Sequence, residues 1–263
     1  MKKSNLLFVI LISGLFAFDI HSPKKDKWVT IFNGKDLDGW TMKIAGQPLG
    51  ENYGNTFRVE NGILSVRYDN DVYKNFNNQF GAIYYKKKLT NYRLKLEYRF
   101  VGETATGAPS WGFRDSGVNF HSQSPESMGL TQQFPITLET NLLGGNGKDE
   151  RPTAEICANG IIIDIDGKPN PSFCNPPKVK RTFHGDQWVT LEIDVNGNKI
   201  TQFVNGEEVL RFENPRYNPT NEIAKTFIVN GDDRVTSGYI SFQSNSHPID
   251  FRNIQLLERS TKE

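Results

Sequence analysis

Glu139 and His121 are the side chains in this sequence best suited to moving a proton, and the alternation around them is expected to put both on one surface. The stretch from Trp111 to Gly145, WGFRDSGVNFHSQSPESMGLTQQFPITLETNLLGG, reads as two strands joined by a long loop. In the first, Val118 and Phe120 alternate with Gly117, Asn119 and His121. In the second, Ile136, Leu138 and Leu142 alternate with Thr137, Glu139 and Asn141. Successive strand side chains point to opposite faces. If the apolar faces make core, then Asn119, His121, Thr137, Glu139 and Asn141 share the other face, where a Glu and a His on neighbouring strands form an acid–base pair. The same alternation also fits the solvated side of a half-buried sheet. The connecting loop carries Ser122, Gln123, Ser124, Gln132 and Gln133, and loops on a rigid scaffold often carry binding groups.

Other chemistries fit less well. Conventional glycoside hydrolysis needs two carboxyl groups flanking the bond. Laminarinase-type sandwich enzymes set theirs on one strand as Glu-x-Asp-x-Glu, whereas the run here is Glu139-Thr140-Asn141-Leu142-Leu143. A second acid would have to come from Asp115 or Glu155. No Gly-x-Ser-x-Gly elbow supports a Ser–His–Asp triad. His121, Glu139 and His247 are admissible zinc ligands without a tight spacing motif. Asp232 and Asp233 beside Gly231 could hold calcium or could form a solvated turn. No organic cofactor is expected, and a structural or catalytic metal is left open.

The elements that must position these groups are strands. Asn-Gly recurs at 33–34, 61–62, 146–147, 159–160, 196–197, 205–206 and 230–231, and Asp-Gly at 38–39 and 166–167. These dipeptides accept the positive φ of tight hairpins. Short runs rich in β-branched and aromatic residues lie between them, so the chain is expected to be all-β, a sandwich or barrel of antiparallel strands. Hairpins are expected over Phe57–Tyr68 and Asn198–Phe212, and strands over Tyr92–Val101 and Trp188–Val195. Residues 69–82 read as loop. The last pair, GYISFQS and PIDFRNIQLLE, is expected to close the sheet. Residues 144–186 read as an irregular excursion pinned by a disulfide between Cys157 and Cys174, the only cysteines.

Residues 1–17 have the form of a signal peptide: Lys2 and Lys3, an apolar run from Leu6 to Phe16 too short to span a membrane, and Leu15-Phe16-Ala17 for cleavage. An exported chain favours a disulfide over free thiols. Residues 18–263 then form one domain. Lys and Arg total 31 against 30 Asp and Glu, with no basic cluster of the kind that nucleic acid or an anionic membrane requires.

The segments FNGKDLDGW, RDSGVNFH, ITLETNLLGG, WVTLEIDVNGNKITQFVNGEEV and GYISFQSNSHPIDFRNIQL, in that order from Trp28 to Leu257, resemble the 3-keto-disaccharide hydrolase domain family. The resemblance implies a concanavalin-like jelly roll of two antiparallel sheets. It also implies a carbohydrate-active protein that cleaves 3-keto-glycosides by proton abstraction at C2 and elimination or hydrolysis at C1. That chemistry needs one base, an enolate donor and a leaving-group acid. Glu139 matches a family Glu in a Tyr-Glu-x-Gln-type strand, with Leu138 before it and Asn141 after it here. His121 stands where relatives carry Arg after Asn-Ser-Gly, and Asp115 replaces that Asn. Glu139 is therefore read as base or acid, and His121 as its partner or the enolate donor. Asn119, Asn141, Gln133 and Gln243 are read as partners for sugar hydroxyls, and Trp111 as a stacking surface or core. His247 enters because relatives carry a His near the cleft, and Arg114 as a structural pair for Asp115. The partner is then a saccharide or oxidised saccharide, and the location periplasm or cell surface. A non-catalytic carbohydrate-binding module is the competing reading, and a structural or adhesion domain a third.

Overall fold

A computed structural model describes residues 27–259, so the leader read at 1–17 lies outside the described residues. The first strands are β1 (Val29–Thr30), β2 (Trp40–Ile44), β3 (Phe57–Glu60), β4 (Ile63–Val66), β5 (Gly81–Tyr85) and β6 (Tyr92–Phe100). Next come β7 (Asp115–Ser122), β8 (Thr137–Leu143), β9 (Glu155–Asn159), β10 (Ile161–Ile165), β11 (Lys168–Asn170) and β12 (Cys174–Asn175). The chain finishes with β13 (Val189–Asn196), β14 (Lys199–Val204), β15 (Glu207–Tyr217), β16 (Tyr239–Ser244) and β17 (Ile249–Glu258). The larger sheet runs β11-β10-β15-β14-β13-β6-β17-β4-β3, with β1 on β17. The smaller runs β12-β9-β8-β7-β16-β5-β2. The chain is all-β, a jelly-roll sandwich of two antiparallel sheets. No helix among the described residues is long and apolar enough to cross a membrane.

The two-residue period decides what enters the core. In β6, Tyr92, Leu94, Leu96, Tyr98 and Phe100 are buried, while Arg93, Lys95, Glu97 and Arg99 lie outside. The outer face is tied by pairs such as Arg93–Glu192 and Arg252–Glu97. Phe242 of β16 stacks on Phe251 of β17 at 4.8 Å, joining the sheets through the core. The hairpin tips follow their dipeptides: Asn61 and Gly62 both have positive φ, as do Asn205 and Gly206, the geometry of a two-residue turn whose twist matches its strands.

Three expectations change. Gly81 and Ala82, read as the end of a loop over 69–82, begin β5 of the smaller sheet. The 144–186 excursion contains β9, which lengthens the smaller sheet by pairing with β8. β16 and β17 do not pair with each other: β16 lies between β7 and β5, and β17 between β6 and β4. The chain crosses between sheets through Asn245–His247, all buried.

Candidate functional site

The outer face of the smaller sheet carries the site, and β8 runs through its middle. Gly117, Asn141 and Glu155 stand side by side across β7, β8 and β9, and one step along the strands stand Asn119, Glu139 and Cys157. Ser241 continues that row on β16. The core takes the alternate residues, including Val118, Phe120, Leu138, Leu142 and Phe242. Strand parity therefore sends Asp115, Glu139, Glu155, Asn141 and Gln243 to one surface.

Gly117 makes the centre of this surface workable. A Cβ there would lie 2.6 Å from Gln243 Oε1 and closer still to Glu139 Oε1, so only glycine lets the two side chains close over the β7 backbone. A chain of polar contacts runs from this point. The Asn245 amide donates to Asp115 Oδ1 at 2.9 Å and to Gln243 Oε1 at 2.7 Å. Gln243 in turn donates to Asn119 Oδ1 at 3.3 Å, and Asn119 to Ser241 Oγ at 3.0 Å. Arg151 Nη2 approaches Asp115 Oδ2 at 3.8 Å, while the same guanidinium donates to the carbonyls of Trp111, Arg114 and Gly144.

Both central carboxyls are held toward neutrality. Burial raises Glu139 to about 8; the Asp115 charge adds to the rise, and the Gln243 amide opposes it. Burial also raises Asp115 to about 7, against the Asn245 amide and the Arg151 charge. Asp115 ionises first and its charge helps to hold the proton on Glu139, so near neutral pH the site keeps one acidic proton and one basic carboxylate.

A cleft of about 240 Å³ opens over these groups, floored by Thr137, Glu139 and Asn141 and closed at one end by Asp115, Gln243 and Asn245. One wall is Phe134 and Trp111, the first tilted against Phe80 and the second stacked on it, with ring centroids 5.3 and 5.2 Å away. The other is the Cys157–Cys174 disulfide with Phe173. Trp111 is 47 % exposed and Phe173 61 %, so both rings offer faces to a ligand.

The sequence matches the model of the 3-keto-alpha-glucoside-1,2-lyase-like domain over residues 27–257. This chain belongs to that family. The family places it among carbohydrate-active proteins. A candidate glycosyl hydrolase from Parabacteroides distasonis ATCC 8503 superposes with a TM-score of 0.53 at 18 % identity, over 89 % of this chain and 94 % of that one. A Bacillus subtilis protein with a galectin-like fold gives 0.52 at 9 %, over 89 % and 96 %. A Bacillus licheniformis β-glucanase gives 0.50 at 12 %, over 91 % and all of that chain. At these identities the likeness is one of fold. No curated protein matches the sequence.

Within this member of the 3-keto-alpha-glucoside-1,2-lyase-like family, the residues expected at the site divide. Glu139, Asn141, Gln243 and Trp111 line the cleft, and Asn119 supports Gln243 from beside it. His121 does not join Glu139. Its φ is 46°, and the β7–β16 register shifts between Tyr239 and Ser241, so a bulge breaks the alternation at this residue. The ring turns between the sheets against Phe120 and Tyr92, 1 % exposed, where burial lowers its pKa to about 4. His247 is also fully buried, between Phe100 and Phe113, with Nδ1 2.7 Å from Thr104 Oγ1. Burial, then the nearby Arg114 charge, lowers its pKa to about 4 as well. The zinc set of His121, Glu139 and His247 is therefore not assembled. Glu155, Cys157 and Cys174 cluster at ligand distance, but the two sulfurs are bonded to each other and offer no thiolate.

The remaining groups also find places. Gln133 is exposed and borders a narrow crevice with Asn119 and Gln243, not the main cleft. Gln123 and Gln132 staple the loop: Gln123 Oε1 accepts from Ile136 N at 2.7 Å and from Gln132 Nε2 at 3.0 Å. Arg114 pairs with Asp186, leaving Arg151 to face Asp115. Asp232 pairs with Arg234 in an exposed turn. Sequence reasoning did not reach Phe134, Phe173, Asn159, Asn245 or Arg151. For Asn159 the readable cue was parity with Cys157, two residues before it.

Proposed function

We propose that this protein is an exported lyase or hydrolase of 3-keto-glycosides, with Glu139 as the base and Asp115 as the acid. The single observation that supports it is the Asp115–Glu139 carboxyl pair, raised toward neutrality and open to a cleft of sugar-ring scale. A ketone at C3 acidifies the C2 hydrogen. Ionised Glu139 takes that proton, and the electron pair passes into a C3 enolate. The enolate collapses to restore the ketone, forms the C1–C2 double bond and expels the C1 oxygen, which Asp115 protonates. Water can then add across C1–C2, giving net hydrolysis. Glu139 holds the pair's proton more tightly than Asp115, so the reacting form is the tautomer with that proton on Asp115, about tenfold less populated, and a base and an acid this close to the working pH suit the two transfers.

Asn141 is assigned to the enolate oxygen or the ring hydroxyls, since its amide makes only a 3.4 Å contact with Glu155. Donors placed where charge develops are often the largest source of rate. The histidine expected as partner is replaced in this role by Asp115. Export is supported by the leader-like residues 1–17 and by a disulfide that an oxidising compartment preserves.

A binding module is favoured by the exposed rings of Trp111 and Phe173. It gives no reason to keep a repelling carboxyl pair under a ligand. Residues 18–263 should release aglycone from a 3-keto-glucoside and not from the parent glucoside, with Glu139→Gln slower by about a hundredfold to ten-thousandfold. Full turnover in the variant removes Glu139 from the chemistry, and saturable binding without release makes the protein a binding module.

A further inference from the structure

The cleft differs chemically at its two ends, and Glu139 stands at the junction. Toward Asn141 its neighbours are the polar side chains of Asp115, Gln243 and Asn245, with the exposed ring of Trp111 on the wall beside them. Toward Thr137 they are Asn159, Phe134 and Phe173, and the disulfide flanks Glu139 itself across β9. The donors of that second half are already engaged. Thr137 Oγ1 donates to the carbonyl of Leu138 at 2.8 Å and lies 3.3 Å from that of Phe120. The Asn159 amide donates to the carbonyl of Pro135 at 2.6 Å. Apart from the Asn159 Oδ1, what faces a ligand there is ring carbon and sulfur.

We propose that the polar half takes the sugar and the apolar half takes the leaving group, so that the preferred substrates carry an aromatic or alicyclic alcohol at C1 in place of a second sugar. The inference rests on the reading of Glu139 as base at C2, which puts the scissile C1–O bond over the junction. A second sugar in the apolar half would strip water from several hydroxyls and offer them few partners, a loss that a planar or alicyclic group avoids. Rings of this kind stack on Phe173 and Phe134 and cover the disulfide.

The test compares 2-phenylethyl 3-keto-glucoside with a 6-linked 3-keto-glucosyl-glucose, both of which leave as primary alkoxides and so match in intrinsic reactivity. The wild-type protein should favour the phenylethyl compound by about tenfold or more in kcat/KM. Phe173→Ser, an exposed position at the mouth, should narrow that ratio by raising KM for the phenylethyl substrate. Cleavage of both compounds with equal efficiency, or preference for the disaccharide, overturns the division of the cleft and leaves the 3-keto-glycoside reading standing. Cleavage of neither overturns that reading and this inference with it.

Discussion

At the scale of the residue, the site depends on one missing side chain as much as on those present. Gly117 lets the Glu139 carboxyl settle over the β7 backbone beside Gln243. Gly117→Ala should therefore displace Glu139 while leaving the core-facing Val118 and Phe120 untouched. Because small misplacements of a reacting group cost about a hundredfold in rate, turnover should fall by that order with the far-ultraviolet spectrum unchanged. Wild-type rates in this variant would show that Glu139 works from another position. Glu139 and Asn141 could be read directly from alternation in ITLETNLL. Asp115, open in the sequence as a second acid, is four residues before Asn119 and shares its parity, yet its own weak strand propensity hides that β7 begins with it.

At the scale of the element, one bulge decides which titratable group belongs to the cleft. A residue inserted into β7 against β16 reverses the side of His121, and periodicity has no mark for such an insertion when the residue in the left-handed region is not glycine. His121→Phe should keep turnover within a factor of a few, and a loss as deep as that of Glu139→Gln would restore the histidine to the chemistry. The variant should also change the acid limb of stability. His121 is lowered to about 4 in the fold, so the unfolded chain takes up a proton near pH 6.5 and the folded one does not. The stability this residue allows is complete above about pH 6.5 and is lost as pH falls toward 4, and thermal melts of the variant should lose that part of the slope. β9 was hidden for a different reason: EICAN is short and only partly apolar, and its pairing with β8 depends on the long-range register at which Cys157 also meets Cys174.

At the scale of the molecule, the larger sheet backs the smaller one, whose outer face carries the candidate site. The turn dipeptides and the strict alternation of β6, β13 and β14 made the sandwich legible in the sequence. The assignment of β16 and β17 to different sheets was not, because two apolar strands joined by a short turn look the same whether they pair or cross the core. The candidate site carries a stability cost at high pH. Glu139 and Asp115 hold protons in the fold that the unfolded chain releases near pH 4. The stability tied to their neutral forms is complete below that value and is lost as pH rises toward about 8. Glu139→Gln should therefore raise the Tm by several degrees at pH 9 and by much less at pH 5. An equal shift at both values would mean that the carboxyl is not held neutral by burial.

The central claim is that Glu139 removes the proton at C2. The most direct measurement follows that hydrogen: a 3-keto-glucoside deuterated at C2, turned over in ordinary water by the wild type and by Glu139→Gln. The wild type should show a primary isotope effect on aglycone release and lose the label to solvent, and the variant should do neither. Release of aglycone with the deuterium retained at C2 would contradict the account.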